Sequence, residues 1–251
     1  MSGLPAAGVV LGVDVGFSPT RRSSAACRLD WSRDEVTWTI ARFRAAEPER
    51  TDTLRRLADR PLLAAAFDGP LRRGLDLIGR YREAERVLTR GVGRRIGKPG
   101  ASNVPIGRLL NAATNTCARI VLDTGHVAPA RHREAIDAAA IVETFPHAWL
   151  GLQIEAPEAL VARRGDRSDV YYKHLAEIGG LDAVLGALLP GRAAATSFAS
   201  VTNHDERAAL VCALAALCLA SGAYHAVGDD EDGWIVLAAR KRWANWAQAM
   251  L

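Results

Sequence analysis

Hydrophobic and polar positions divide the chain into elements. Residues 9–15 (VVLGVDV) form a short apolar run with β-branched residues and predict a buried strand. Residues 24–29 (SAACRL) make a weaker strand. Residues 36–43 (VTWTIARF) alternate and are rich in Val, Thr, Trp and Ile, which suits a pleated, half-buried surface. The turns between them are short, so an antiparallel meander is expected. Leu54 and Leu57 stand at helical spacing over 49–59, Pro61 stops that helix, and 62–67 (LLAAAF) predicts a buried strand ending at Asp68-Gly69-Pro70. Residues 72–90 predict a helix, 91–105 a Gly-, Pro- and Arg-rich loop, and 106–121 a second helix. Residues 138–145 (AAAIVETF) read as a strand stopped by Pro146. Helices are then expected over 157–163, 170–178, 181–189 and 206–221, the last strongly apolar and ending at Gly222. Strands at 224–227 and 234–238 close the chain around the acidic turn 229–233, expected to be a solvated hairpin tip.

The composition narrows the class. With 251 residues, 49% apolar and 24% charged, the chain can bury a sizeable core, and disorder is excluded for its bulk. The four cysteines form no C-x-x-C pair, and no histidine completes a zinc-ligand spacing around them. Scattered thiols of this kind suit a reducing cytosol, and no secretory leader is visible, so a cytoplasmic protein is expected. The longest apolar stretch, 208–220, is too short to span a bilayer, and no membrane partner is expected. The net charge of +4 is modest, but residues 72–108 alone carry ten Arg or Lys against three acids.

Four carboxylates stand where apolar segments should have none. Asp14 interrupts the first strand, Asp68 ends the fourth, Glu143 interrupts the fifth, and Asp205 opens the apolar helix. A buried carboxylate needs a partner, a capping role or a cation. Taken singly, Asp205 reads as a helix cap and Asp68 as a turn residue. Taken together, four such acids suggest an oxygen-ligand cluster for Mg²⁺ or Mn²⁺. A shared site requires Asp14, Asp68 and Glu143 to converge in one cleft. Asp14 and Glu143 on opposite faces of the sheet would sink that metal site.

An order of three strands, a helix and a fourth strand, with acids in the first and fourth strands, resembles the ribonuclease H fold. The chain is similar to the predicted nucleases of that fold catalogued as domain of unknown function 429. The resemblance is carried by LGVDVGFSP (Leu11–Pro19), FDGPL (Phe67–Leu71), YREAERVLTR (Tyr81–Arg90), VETFPHAWL (Val142–Leu150), ERAALVCALAAL (Glu206–Leu217) and DGWIVL (Asp232–Leu237), in that order over nearly the whole chain. It implies one α/β domain over residues 1–251: a ribonuclease-H-like mixed sheet flanked by helices, with a helical, basic insertion at about 72–137. It also implies a two-metal phosphodiesterase acting on DNA or RNA, with Asp14, Asp68, Glu143 and Asp205 as catalytic metal ligands. One departure stands out. The family's late helix begins with an acid at the position of Ala208, and Asp205 lies one turn earlier.

Arg72, Arg73, Arg82, Arg94, Arg95 and Lys98 are the candidates for clamping a nucleic-acid backbone. A solvated Arg-rich face is the plain alternative, and Arg82 and Glu85 are spaced to pair locally on a helix. A non-catalytic nucleic-acid-binding or scaffold protein on the same fold is the contrasting reading, favoured by Ala208. GVDVGFSP also resembles the first phosphate loop of actin-like phosphotransferases, but no second Asp-Gly-Gly loop accompanies it. His204 beside Asp205 reads as a surface residue of the cap region, with a proton shuttle as the alternative. Trp243, Trp246 and Met250 recur at helical spacing, and are expected to dock on the core or on a second subunit as a homodimer.

Overall fold

The computed structural model describes residues 3–161 and 166–250. The strands are β1 (Gly8–Asp14), β2 (Ser24–Trp31), β3 (Glu35–Phe43), β4 (Ala65–Asp68), β5 (Ile141–Thr144), β6 (Ala193–Ala194), β7 (Tyr224–Asp229) and β8 (Gly233–Ala238). The helices are α1 (Glu49–Leu57), α2 (Glu83–Arg90), α3 (Gly93–Ile96), α4 (Pro105–Leu122), α5 (Pro146–Gly151), α6 (Pro157–Val161), α7 (Arg167–Glu177), α8 (Gly180–Leu188), α9 (His204–Ser221) and α10 (Asn245–Gln248). The expected helix at 157–163 is seen as far as Val161, and its last two positions lie outside the described residues.

The strands form one mixed sheet in the order β6-β3-β2-β1-β4-β5-β8-β7. β1, β2 and β3 are the antiparallel meander that the short turns implied, while β4, β5 and β8 add parallel to β1 and one another. Parallel pairing needs crossovers, and the helices between β4, β5 and β8 supply them. Alternation along each strand divides the apolar residues between two cores. Leu11, Val13, Ala65, Phe67 and Ile141 face α1 and α4. Val10, Ala64, Ala66 and Val142 face α9. The architecture is therefore a mixed α/β sheet with helices on both faces.

α9 is apolar on every side because it is buried on every side, against the sheet and α5, α7 and α8. Its close seat on β1 depends on Gly12, where a Cβ would fall 2.1 Å from the Ala213 nitrogen and 2.3 Å from the Ala209 oxygen. That contact brings the N-terminus of α9 toward the Asp14 end of β1.

The expected helix over 72–90 begins only at Glu83. The backbone turns left-handed at Gly74 (φ 76°) and Leu75 (φ 56°), which breaks a helix before it can propagate. Leu75 and Ile78 instead anchor an extended segment, with the Ile78 N–H donating to the Asn111 side chain at 3.0 Å. The turn 229–233 is not simply solvated. Asp232 is buried and accepts from Arg80 Nε at 2.7 Å, while Asp229 accepts from the Glu231 and Asp232 N–H groups. Trp243 and Trp246 dock on their own chain, donating to the main-chain oxygens of Ala238 and Ile154 at 2.8 Å each. All four cysteines are free and buried. Among the described residues, no helix is long and apolar enough to cross a membrane.

Candidate functional site

A single row of register partners crosses the sheet: Arg42 of β3, Ala25 of β2, Asp14 of β1, Asp68 of β4 and Thr144 of β5. Register partners project from the same face, and Ala25 belongs to the α9-side core, so the row faces α9. Asp14 and Asp68 thus stand side by side where two parallel strands end.

Both carboxyls are half-buried, and burial and neighbouring charge, not hydrogen bonding, govern their ionisation. Burial pushes the Asp14 carboxyl well up, Asp68 and Asp205 push it further, and Arg42 partly offsets them. Asp68 rises to about 7, first through burial and then through Glu143 and Asp166, with His204 opposing. Two desolvated like charges held together favour taking up a proton or a cation.

Asp205 lies next to this pair but is already engaged. Its Oδ2 accepts from Arg42 Nη2 at 2.7 Å and Nε at 3.1 Å. It is not the helix cap. Asn203 caps α9, its side-chain oxygen accepting from the Glu206 N–H at 3.2 Å. Ala208, one turn on, is buried in the core.

Glu143 corrects the four-carboxylate expectation. It is the register partner of Phe67 and so belongs to the α4-side row, opposite Asp14 and Asp68. Its carboxylate accepts both terminal nitrogens of Arg82, at 2.6 and 2.7 Å, and the Leu71 N–H at 2.8 Å. Burial pushes the Glu143 carboxyl up from the usual carboxylate range, and the Arg82 guanidinium pulls it back down. The acid that interrupts β5 is neutralised by a protein cation, so the predicted ligand set does not assemble.

Arg82 is corrected by the same geometry. Its side chain is only 2% exposed and cannot reach a nucleic-acid backbone. Nε donates to Glu85 at 3.0 Å, and Glu85 also takes the Ser102 N–H at 3.1 Å and the Ser102 hydroxyl. The local Arg82–Glu85 pairing expected from spacing is present, within a larger buried network. Arg95 is partly committed as well. It donates to Glu158 at 2.8 Å and lies 4.3 Å from the centre of the Trp246 ring. Arg72 pairs with Asp76 at 3.2 Å, and Arg73 donates to the Arg133 main-chain oxygen at 3.2 Å. Arg94 and Lys98 remain exposed.

His204, read from the sequence as a cap-region surface residue, and Asp166, which sequence reasoning passed over, both act on the charge of Asp68. His204 Nδ1 is 3.3 Å from Asp169 Oδ1, which also accepts from Arg207 at 3.0 Å. Asp166 caps α7 by accepting from the Ser168 N–H at 2.8 Å and hydroxyl at 2.6 Å. The string Asp-Arg-Ser before a periodic segment is an N-cap signature, the local signal that could have marked Asp166. Its closeness to Asp68 has no such signal.

A cavity of about 150 Å³ opens between the ends of β4 and β5, the loop at 99–102 and the start of α4. Asp68 and Glu143 both line it, with Phe17, Ile106, Leu110 and Phe145 among the apolar walls. Among the described residues, no three His, Cys, Asp or Glu side chains are grouped to hold a metal ion. Comparison with family models, curated proteins and solved structures returns no match.

Proposed function

We propose that the chain is a divalent-cation-dependent nuclease of ribonuclease-H-like fold, related to the family of domain of unknown function 429. The whole chain forms one such domain, with 72–137 as its insertion. The observation that carries this reading is the Asp14–Asp68 pair: two acids in register at the ends of the first and fourth strands, with the ionisation of both opposed by burial and that of Asp14 opposed also by Asp68. The strand order around it, β3-β2-β1-β4-β5, supports the fold assignment.

The residues fit a cation with limits. Mg²⁺ is commonly held by one or two carboxylates together with substrate phosphates, and a dedicated cage is not needed. Asp14 and Asp68 are sufficient for that, with Mg²⁺ or Mn²⁺ as the candidates. When bound, the ion would neutralise phosphodiester charge and lower the pKa of water. Asp14 and Asp68 would hold it. Arg94 and Lys98 would steady the DNA or RNA backbone. His204, 49% exposed and oriented by Asp169, stands where it can exchange a proton with solvent. Four free cysteines support a cytoplasmic setting.

The second reading is a nucleic-acid-binding scaffold without catalysis. Arg42 on Asp205 and Arg82 on Glu143 favour it, because each supplies from within the protein the positive charge a metal would bring. The deciding experiment is thermal melting under Mg²⁺ or Mn²⁺ titration, alongside cleavage of labelled single-stranded DNA and RNA. The nuclease reading expects metal-dependent stabilisation and cleavage, both lost in Asp14→Asn. Nucleic-acid binding with neither response favours the scaffold.

A further inference from the structure

The cavity beside Asp68 is unusual in its walls. Phe17, Ile106, Leu110 and Phe145 make it apolar, and Phe17 (41% exposed) and Ile106 (61% exposed) present large hydrophobic surface at its rim. A void of about 150 Å³ with such walls admits one benzene-sized ring. Its lining also includes buried polar groups that are already hydrogen-bonded but keep acceptor capacity. Glu143 Oε1 takes one bond from Arg82, and Thr144 Oγ1 donates to the Val236 oxygen at 2.7 Å. Each retains a lone pair. The complement is a flat ring with an N–H edge.

We infer that this cavity receives a nucleobase unpaired from its strand. The surroundings distinguish a base from other flat rings. Asp68 lines the cavity, so an occupant lies beside the proposed phosphate-handling pair. The loop that walls it at Pro99 and Gly100 begins with exposed Lys98, suited to a phosphate neighbour. A base in a pocket cannot remain stacked and paired in a duplex, so the substrate class is single-stranded nucleic acid or an extruded nucleotide. The choice of a base over other flat rings, like the link to cleavage, rests on the nuclease reading. Base capture itself requires no metal.

The test is equilibrium binding of the four ribonucleosides, without metal or phosphate, to the full chain, followed by ligand-observed magnetic resonance. Ribose alone, p-cresol and indole are the comparison ligands. Saturable binding of at least one nucleoside, at least tenfold tighter than any comparison ligand, is expected. Leu110→Trp fills the cavity and should weaken that binding at least tenfold. Ile106→Gln, at an exposed position that does not endanger the fold, should weaken it measurably. The inference is overturned if no nucleoside binds, if p-cresol or indole binds as well as the nucleosides, or if both variants bind like wild type. Indole or p-cresol winning would point to a protein side chain as the occupant. Since no metal is present, these outcomes are independent of the melting and cleavage results that judge the nuclease reading.

Discussion

Replacing Arg82 separates a structural cation from a nucleic-acid contact. In the wild type its guanidinium joins Glu143 through two bonds of 2.6 and 2.7 Å and Glu85 through one of 3.0 Å, with all three side chains no more than 4% exposed. Arg82→Met keeps most of the volume but strands two buried carboxylates. Removing one partner of a buried ion pair costs about 3–5 kcal/mol, since the remaining charge is left desolvated. At roughly 2–4 °C per kcal/mol for a chain of this size, Tm should fall by about 6–20 °C. Glu143→Gln still accepts from the Leu71 N–H and leaves Arg82 its bond to Glu85, so it should cost less. Thermal denaturation followed by tryptophan fluorescence reads stability, and fluorescence anisotropy with labelled single-stranded DNA reads binding. At a temperature where the variant stays folded, its affinity for DNA should match wild type. An Arg82→Met protein that melts within about 2 °C of wild type yet loses DNA binding would refute this account.

The carboxylate pair makes stability depend on pH. Asp68 ionises near 7 in the folded chain against 3.8 ordinarily, so the folded state holds a proton that the unfolded state releases between those values. Stability should fall as pH rises through that window, by on the order of 2 kcal/mol once solvent at the half-buried cleft is counted. Asp68→Asn should flatten this slope in melts between pH 4 and 8, and an unchanged slope would count against the pair. Arg42→Gln removes the cation that engages Asp205 and should enlarge the Mn²⁺-induced rise in Tm; a smaller rise would show that Arg42 aids the site. Arg94→Ala with Lys98→Ala should lower the salt slope of single-strand binding by ~0.7 per lost phosphate contact. Arg95→Ala should change it less, because Arg95 is held by Glu158 and Trp246.

Much of the framework was legible in local pattern. The β-branched and alternating runs marked β1, β3 and β5, the short turns implied the meander, and the all-round apolar stretch marked α9 as buried. These follow from side-chain period and burial, which any window of sequence carries. The pairing of Asp14 with Asp68 was legible only as two acids ending two strands. Their juxtaposition is a matter of register, which parallel pairing fixes through contacts far apart in the chain. Glu143 shows the limit most clearly. One position along a strand reverses the face, so its place after Ile141 and Val142 set its side chain opposite Asp68 once β4 and β5 were aligned. Arg82, sixty-one positions away, then met it in the interior. Ion pairs between distant segments leave no local mark, because charge alone does not say whether a guanidinium will face water, a phosphate or a buried carboxylate. Composition made the 72–108 segment look uniformly basic and available. Folding divided it, burying Arg82, engaging Arg72, Arg73 and Arg95, and leaving Arg94 and Lys98 exposed.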